Sequence, residues 1–198
     1  MDKILDVTDY GICLFSLPVI DEFLKKEKVR SKKLLANFQK NHNRYLRMLE
    51  SGIWLPFLPI DSIDYLIKME GQEPIFGDEW KQKMEHGQFN LTVKDSVWIT
   101  SISYFNIFDR SDYVGDKVSY RTLDGILCHA GFRYDVPSGK YLVSIKGYAR
   151  KQKLDYPNPN YGFLFSLVKV NEFNGFNDPR EDEIYNFNVP SIDRKGLK

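Results

Sequence analysis

Ile126-Leu127-Cys128-His129-Ala130-Gly131-Phe132-Arg133-Tyr134-Asp135-Val136 is the clearest strand in the chain. Its even-numbered positions are apolar throughout and its odd positions, Leu127 aside, are small or polar. A sheet covered on one face imposes this period of two. Pro137-Ser138-Gly139-Lys140 is turn chemistry, and Tyr141 to Lys151 follows as a partner strand, so the two read as a hairpin. Further along, Tyr156-Pro157-Asn158-Pro159-Asn160-Tyr161-Gly162 is a loop. Phe163 to Val170 is apolar on both faces, which suits a central strand. Upstream, Phe89, Leu91 and Val93 alternate with polar residues, and Val97 to Phe108 is rich in β-branched and aromatic side chains.

Before Phe89 the period is helical. Ile20, Phe23 and Leu24, then Leu34, Leu35, Phe38, Tyr45, Leu46 and Leu49 recur at steps of three, four and seven, which puts them on one face. Pro18 with Asp21 and Glu22 suits a helix start, and Gly52 suits a stop. The rhythm lapses between Lys25 and Lys33, which predicts either two helices joined there or one helix with a solvated middle. Ile53 to Ile60 carries two prolines and reads as a buried connector. Asp61 or Ser62 can cap a short helix through about Met69, and a further short helix is expected near Asp78 to Glu85. Helices first and strands afterwards predict an α+β fold, with N-terminal helices packed on one face of a C-terminal, mainly antiparallel sheet. We expect one domain over residues 1–198: mainly helical to 88, sheet from 89 to 173, and loosely structured from 174, where Asn, Gly, Asp and Pro accumulate.

The composition narrows the function classes. The chain has 198 residues, 42% hydrophobic and 28% charged, with a formal net charge of +1. That apolar fraction is too high for a disordered chain, and no stretch approaches the roughly 20 apolar residues of a membrane-spanning helix. Met1 to Asp9 mixes acids with isolated apolar residues and does not read as an export signal. Cys13 and Cys128 lie among apolar neighbours, where a thiol behaves as a small hydrophobe, so a reducing cytosol is the simpler expectation.

The near-zero net charge hides segregation. Residues 25–47 carry nine Lys or Arg against Glu27, residues 61–79 carry six acids against Lys68, and Glu172 to Asp193 carries six against Arg180. Opposite runs could pair across the fold, or the basic run could serve as an electrostatic docking face. Lys25, Lys26, Lys28, Arg30, Lys32, Lys33, Lys40, Arg44 and Arg47 could also contact phosphates. A nucleic-acid reading would need an unbroken positive surface joining them to Lys146, Arg150, Lys151 and Lys153.

Signatures of catalysis are sparse. His42, His86 and His129 lack the close His or Cys spacing of a zinc site, so no metal is expected, and His42 reads as a packed boundary residue. Cys128 and His129 are consecutive on a strand, so their side chains point to opposite faces and form no dyad. A general-acid or base role for His129 with Asp124 or Asp135 is the enzymatic alternative. No phosphate-cradling loop, dinucleotide turn or Gly-x-Ser-x-Gly motif is present. Aromatic residues make up 15% of the chain, more than one core of this size needs.

These observations favour a non-enzymatic cytosolic protein that occludes a protein partner stoichiometrically, with no cofactor and no membrane. Lys26, Arg30, Lys33, Arg44, Tyr156, Asn158 and Tyr161 are the expected contact residues: charges to steer association, aromatic anchors to slow release. Small toxin neutralisers, the immunity proteins of bacterial competition systems, share this general profile. That analogy is one of type and rests on no motif.

Overall fold

Where the sequence predicts one sheet, the computed structural model, which describes residues 2–181 and 183–195, has two. In chain order the elements are β1 (Lys3–Asp6), β2 (Ile12–Phe15), α1 (Leu17–Lys26), α2 (Leu34–Lys40), α3 (His42–Glu50), β3 (Trp54–Phe57) and β4 (Asp64–Met69). There follow β5 (Trp80–Val93), β6 (Ser96–Ser101), two 3-10 turns at Ile102–Phe105 and Arg110–Tyr113, β7 (Lys117–Arg121), β8 (Leu127–Asp135), β9 (Gly139–Arg150), β10 (Tyr161–Val170) and α4 (Val189–Lys195). The fold is α+β, with one sheet ordered β1-β4-β10-β9-β5 and the other β3-β2-β6-β8-β7. Every pairing is antiparallel except β4 with β10. No helix among the described residues is long and apolar enough to cross a membrane.

The inner faces of the sheets share a core that includes Leu14, Phe57, Tyr65, Phe89, Phe132 and Phe163. A second core lies on the outer face of the β2-containing sheet. There Ile20, Leu34, Phe38, Tyr45 and Met48 of the helices meet Phe15, Trp54 and Trp98. Phe38 sits edge-on to Trp54 at 4.9 Å, and Phe15 to Phe105 at 5.2 Å, the arrangement the ring quadrupole favours. These two cores absorb most of the aromatic surplus.

Several local expectations are corrected. β8 and β9 are not a hairpin, because they belong to different sheets; the turn at Pro137 carries the chain from one to the other. Alternation determines which face of a strand is buried and leaves open which neighbour completes its backbone bonds. Within β8 the alternation also breaks. Val118 pairs with Gly131 and Ser119 with His129, so Ala130 is an extra residue, and it packs under the helices while Phe132 and Tyr134 face the inter-sheet core. The segment expected as a helix at 61–69 is β4, and the one at 78–85 begins β5, whose register shifts between Gln82 and Met84 and again between His86 and Phe89. Those bulges erase the period that would have revealed a strand.

The connector at 53–60 contains β3, an edge strand, where Pro56 costs no ladder bond to an outer neighbour. The basic helical region is three helices, and its second break falls at Asn41, whose side chain accepts from Arg44 N at 2.9 Å as the cap of α3. The strand expected through Phe108 ends at Ser101. The C-terminal segment docks: Phe187 and Val189 are buried in the inter-sheet core and α4 follows. Position 182 and positions 196–198 of that segment lie outside the described residues.

Candidate functional site

The basic segment begins where α1 ends. Pro18 opens α1, Val19, Ile20 and Leu24 are buried, and Lys25 and Lys26 occupy the last turn, where the negative end of the macrodipole favours cations. Lys28 then takes a left-handed backbone conformation, φ 54°, and turns the chain toward α2. Three of the nine cations are held internally. Lys32 pairs with Asp109 at 2.6 Å, and Glu27 takes both Arg44 at 3.3 Å and Arg47 at 2.8 Å. Lys25, Lys26, Lys28, Arg30, Lys33 and Lys40 are exposed, and none forms an ion pair among the described residues. Among the described residues, neither acidic run pairs with this segment by a salt bridge; Glu73, Asp193, Asp178 and Asp61 bind cations elsewhere. Arg44, expected as a contact residue, is bonded within the helical layer. Its side chain is only 17% exposed, and it also donates to Asn37 Oδ1 at 2.6 Å, tying α3 to α1 and α2.

Beside Lys26 the helices leave a groove of about 640 Å³ between α1, the end of α3 and the β5–β6 corner. Val19, Phe23, Ile53 and Val93 supply its apolar surface, and Glu22, Lys26, Glu27, Arg47 and Lys94 its charges. Lys94 pairs with Glu22 at 2.6 Å. Backbone contacts set the walls. Ser16 Oγ accepts from Lys94 N and donates to Lys94 O, both at 3.0 Å. Thr92 N donates to Gly52 O at 2.7 Å. Gly52 has φ 63°, and a Cβ there would lie 2.8 Å from Thr92 N, so this approach of α3 to β5 needs glycine.

The aromatic loop is elsewhere. Ser138 lines the groove just before β9, and the loop follows β9's last residue, Arg150. A strand of 12 residues spans about 40 Å. The seven expected contact residues thus fall on two separate surfaces. In the loop, Tyr156 is 77% exposed. Asn158 is exposed, but its backbone N and its Nδ2 both donate to Asp155 O. Tyr161 is the first residue of β10, half-buried, with Lys153 Nζ 4.1 Å from its ring centroid.

Tyr156 and Pro157 border a second cleft, of about 430 Å³, with Ile126, Leu127, Cys128, His129, Asp6 and Asp64. His129 Nδ1 lies 2.8 Å from Ser119 Oγ, and burial with nearby Lys117 holds the imidazole below its ordinary pKa. Its expected carboxylates are engaged elsewhere: Asp124 accepts from Thr122 Oγ1, and Asp135 pairs with Arg133 at 3.1 Å. The carboxylates facing this cleft are Asp2, Asp6 and Asp64, and the last two are paired across β1 and β4. Tyr120 donates its hydroxyl to Asp6, and burial beside Asp6 raises the Asp64 pKa. Only pairing of β1 with β4 brings these two together, so no local sequence signal marks them. His42, expected as packed, is exposed, its ring stacked beside Tyr45. Among the described residues, no cluster of His, Cys, Asp and Glu is arranged to hold a metal ion.

The positive surface required for nucleic acid is interrupted. Lys146 and Arg150 lie on the outer face of the other sheet, with Tyr148, whereas the basic segment lies over the opposite face of the sandwich. Lys146 lies 3.8 Å from Glu85, Arg150 stacks 4.4 Å from the Trp80 ring, and Lys153 pairs with Asp193 at 2.7 Å. Compared with protein-family models, curated proteins and solved structures, the chain matches none of them.

Proposed function

We propose that this protein binds a protein partner and occludes it stoichiometrically, meeting an acidic surface of that partner with the face built by α1, α2 and their connection. The observation that carries the reading is the set of six exposed cations, Lys25, Lys26, Lys28, Arg30, Lys33 and Lys40, that have no ion-pair partner among the described residues. Complementary charge speeds encounter and excludes wrong partners, and a rigid face keeps the ordering cost low. Neutralising a toxin domain is the specific form of this activity we favour, since occlusion alone suffices for it.

A nucleic-acid partner would use the same cations. Against it stands the separation of Lys146, Arg150 and Lys153 from the basic face. The discriminating experiment is capture from a lysate of the source organism with the native protein and with the K26E/R30E/K33E variant, each with and without nuclease. A protein retained by the native chain after nuclease, and lost with the variant, is the expected result. A protein retained equally by both would remove this face from the site, and a nuclease-sensitive partner would replace the reading with phosphate binding.

A further inference from the structure

We infer that the groove beside Lys26 seats a large apolar side chain from an acidic segment of the partner. The inference rests on the protein-binding reading above and names the chemistry of the segment bound. Two independent features of the groove converge on that chemistry. Its apolar floor comes chiefly from Phe23 and Ile53, which are half-buried, with little added by the almost wholly buried Val19 and Val93, and polar side chains such as Ser51, Thr92 and Ser138 share the lining with the charged rim. At about 640 Å³ the groove is open to solvent and has room for a large side chain. An apolar anchor filling such a recess is how interfaces concentrate binding energy.

The charge balance at the rim is the second feature. Glu27 already serves two guanidiniums, Arg44 and Arg47, and Glu22 serves Lys94. Three cations, Lys26, Arg47 and Lys94, therefore face two carboxylates, and Lys26 is the one without an ion pair among the described residues, with Lys25 and Lys28 beside it in the chain. A carboxylate arriving next to the apolar anchor meets a positive surplus. A basic segment would meet that surplus as repulsion.

The test compares two fluorescein-labelled peptides of equal negative charge, one carrying Phe and Leu anchors between Glu residues and the other carrying Ser in their place. Anisotropy titration of the full chain should show the anchored peptide binding about 10- to 100-fold more tightly, the ratio expected from burying one large side chain. Amide shifts in an NMR titration should cluster at residues 19–27, 47–53 and 92–94. Phe23→Gln, or Ser138→Trp on the opposite wall should the first variant unfold, should abolish the ratio while leaving the weak salt-sensitive binding of the Ser peptide.

Equal affinity for both peptides, lost in K26E/R30E/K33E, would overturn the inference and leave the electrostatic reading standing. Shifts confined to other surfaces would overturn it, as would displacement of the anchored peptide by stoichiometric decanoate or by a short single-stranded oligonucleotide. Binding of neither peptide would also overturn it; the protein-binding reading would then be decided separately by whether the captured partner depends on Lys26, Arg30 and Lys33.

Discussion

Glu27 accepts from Arg44 and from Arg47, residues 17 and 20 positions further along the chain. It therefore governs how much of the basic segment's charge reaches solvent. Glu27→Gln should release both guanidiniums, raise the association rate with an acidic partner, and lower stability by about 1 kcal/mol or less, since partly exposed pairs contribute little. Stopped-flow mixing and a urea melt check the two effects. Asp64 makes a different prediction. Folding raises its pKa through burial and the neighbouring Asp6, so the folded protein holds a proton that the unfolded chain has released. Stability then falls as pH rises from the ordinary carboxylate range, about 4, through the raised value. Asp64→Asn should melt at a higher temperature than the native chain at pH 7, with the gap closing as pH drops below about 4; a gap that ignores pH would contradict this. At this scale the sequence was readable for Lys26, Arg30 and Lys33 as exposed cations. It was unreadable for Arg44, because partners held by helix packing leave no trace in local spacing.

Among the elements, α4 and β9 depend on one glycine. A Cβ on Gly147 would lie 2.4 Å from Val189 Cγ2 and 2.7 Å from Met84 Sδ, so Val189 can seat on the sheet only where β9 lacks a side chain. Gly147→Ala should cost about 1–3 kcal/mol and expose the C-terminal segment to protease, and it should cost less in a Val189→Ala background. Phe187→Ala should cost about 3–5 kcal/mol, because Phe187 is buried in the inter-sheet core. Urea titrations of the single and double variants measure both. This docking was hidden in a segment whose Asn, Gly and Pro suggested irregular chain, since irregular backbone can still carry two buried anchors. Strands β8 and β9 were legible from the alternation of their residues, and β10 from an apolar run on both faces. β4 was not, because its short apolar stretch Tyr65-Leu66-Ile67, bounded by Asp64 and Lys68, fits a helix as well as a strand. Pairing was the least legible feature: β8 and β9 have the patterns of neighbours and lie in different sheets.

For the whole molecule, the layers separate charge from aromatic surface. The helices present, over one sheet, cations that have no ion pair among the described residues, and the length of β9 divides them from exposed Tyr156 and its cleft. Sequence composition pointed to both surfaces and placed them in one site, because distance along a strand is invisible until the strand's course is known. Tyr156→Ser should accordingly leave association through the basic face unchanged, while reversal of Lys26, Arg30 and Lys33 should not. Salt discriminates further, since exposed charges are screened over about 10 Å at 0.1 M ionic strength. The most direct measurement is the association rate of the captured partner with the native protein and with K26E/R30E/K33E, across ionic strengths from about 20 to about 200 mM. The variant should associate at least about tenfold more slowly at low salt, with its salt dependence flattened. Equal rates and equal salt dependence would contradict it.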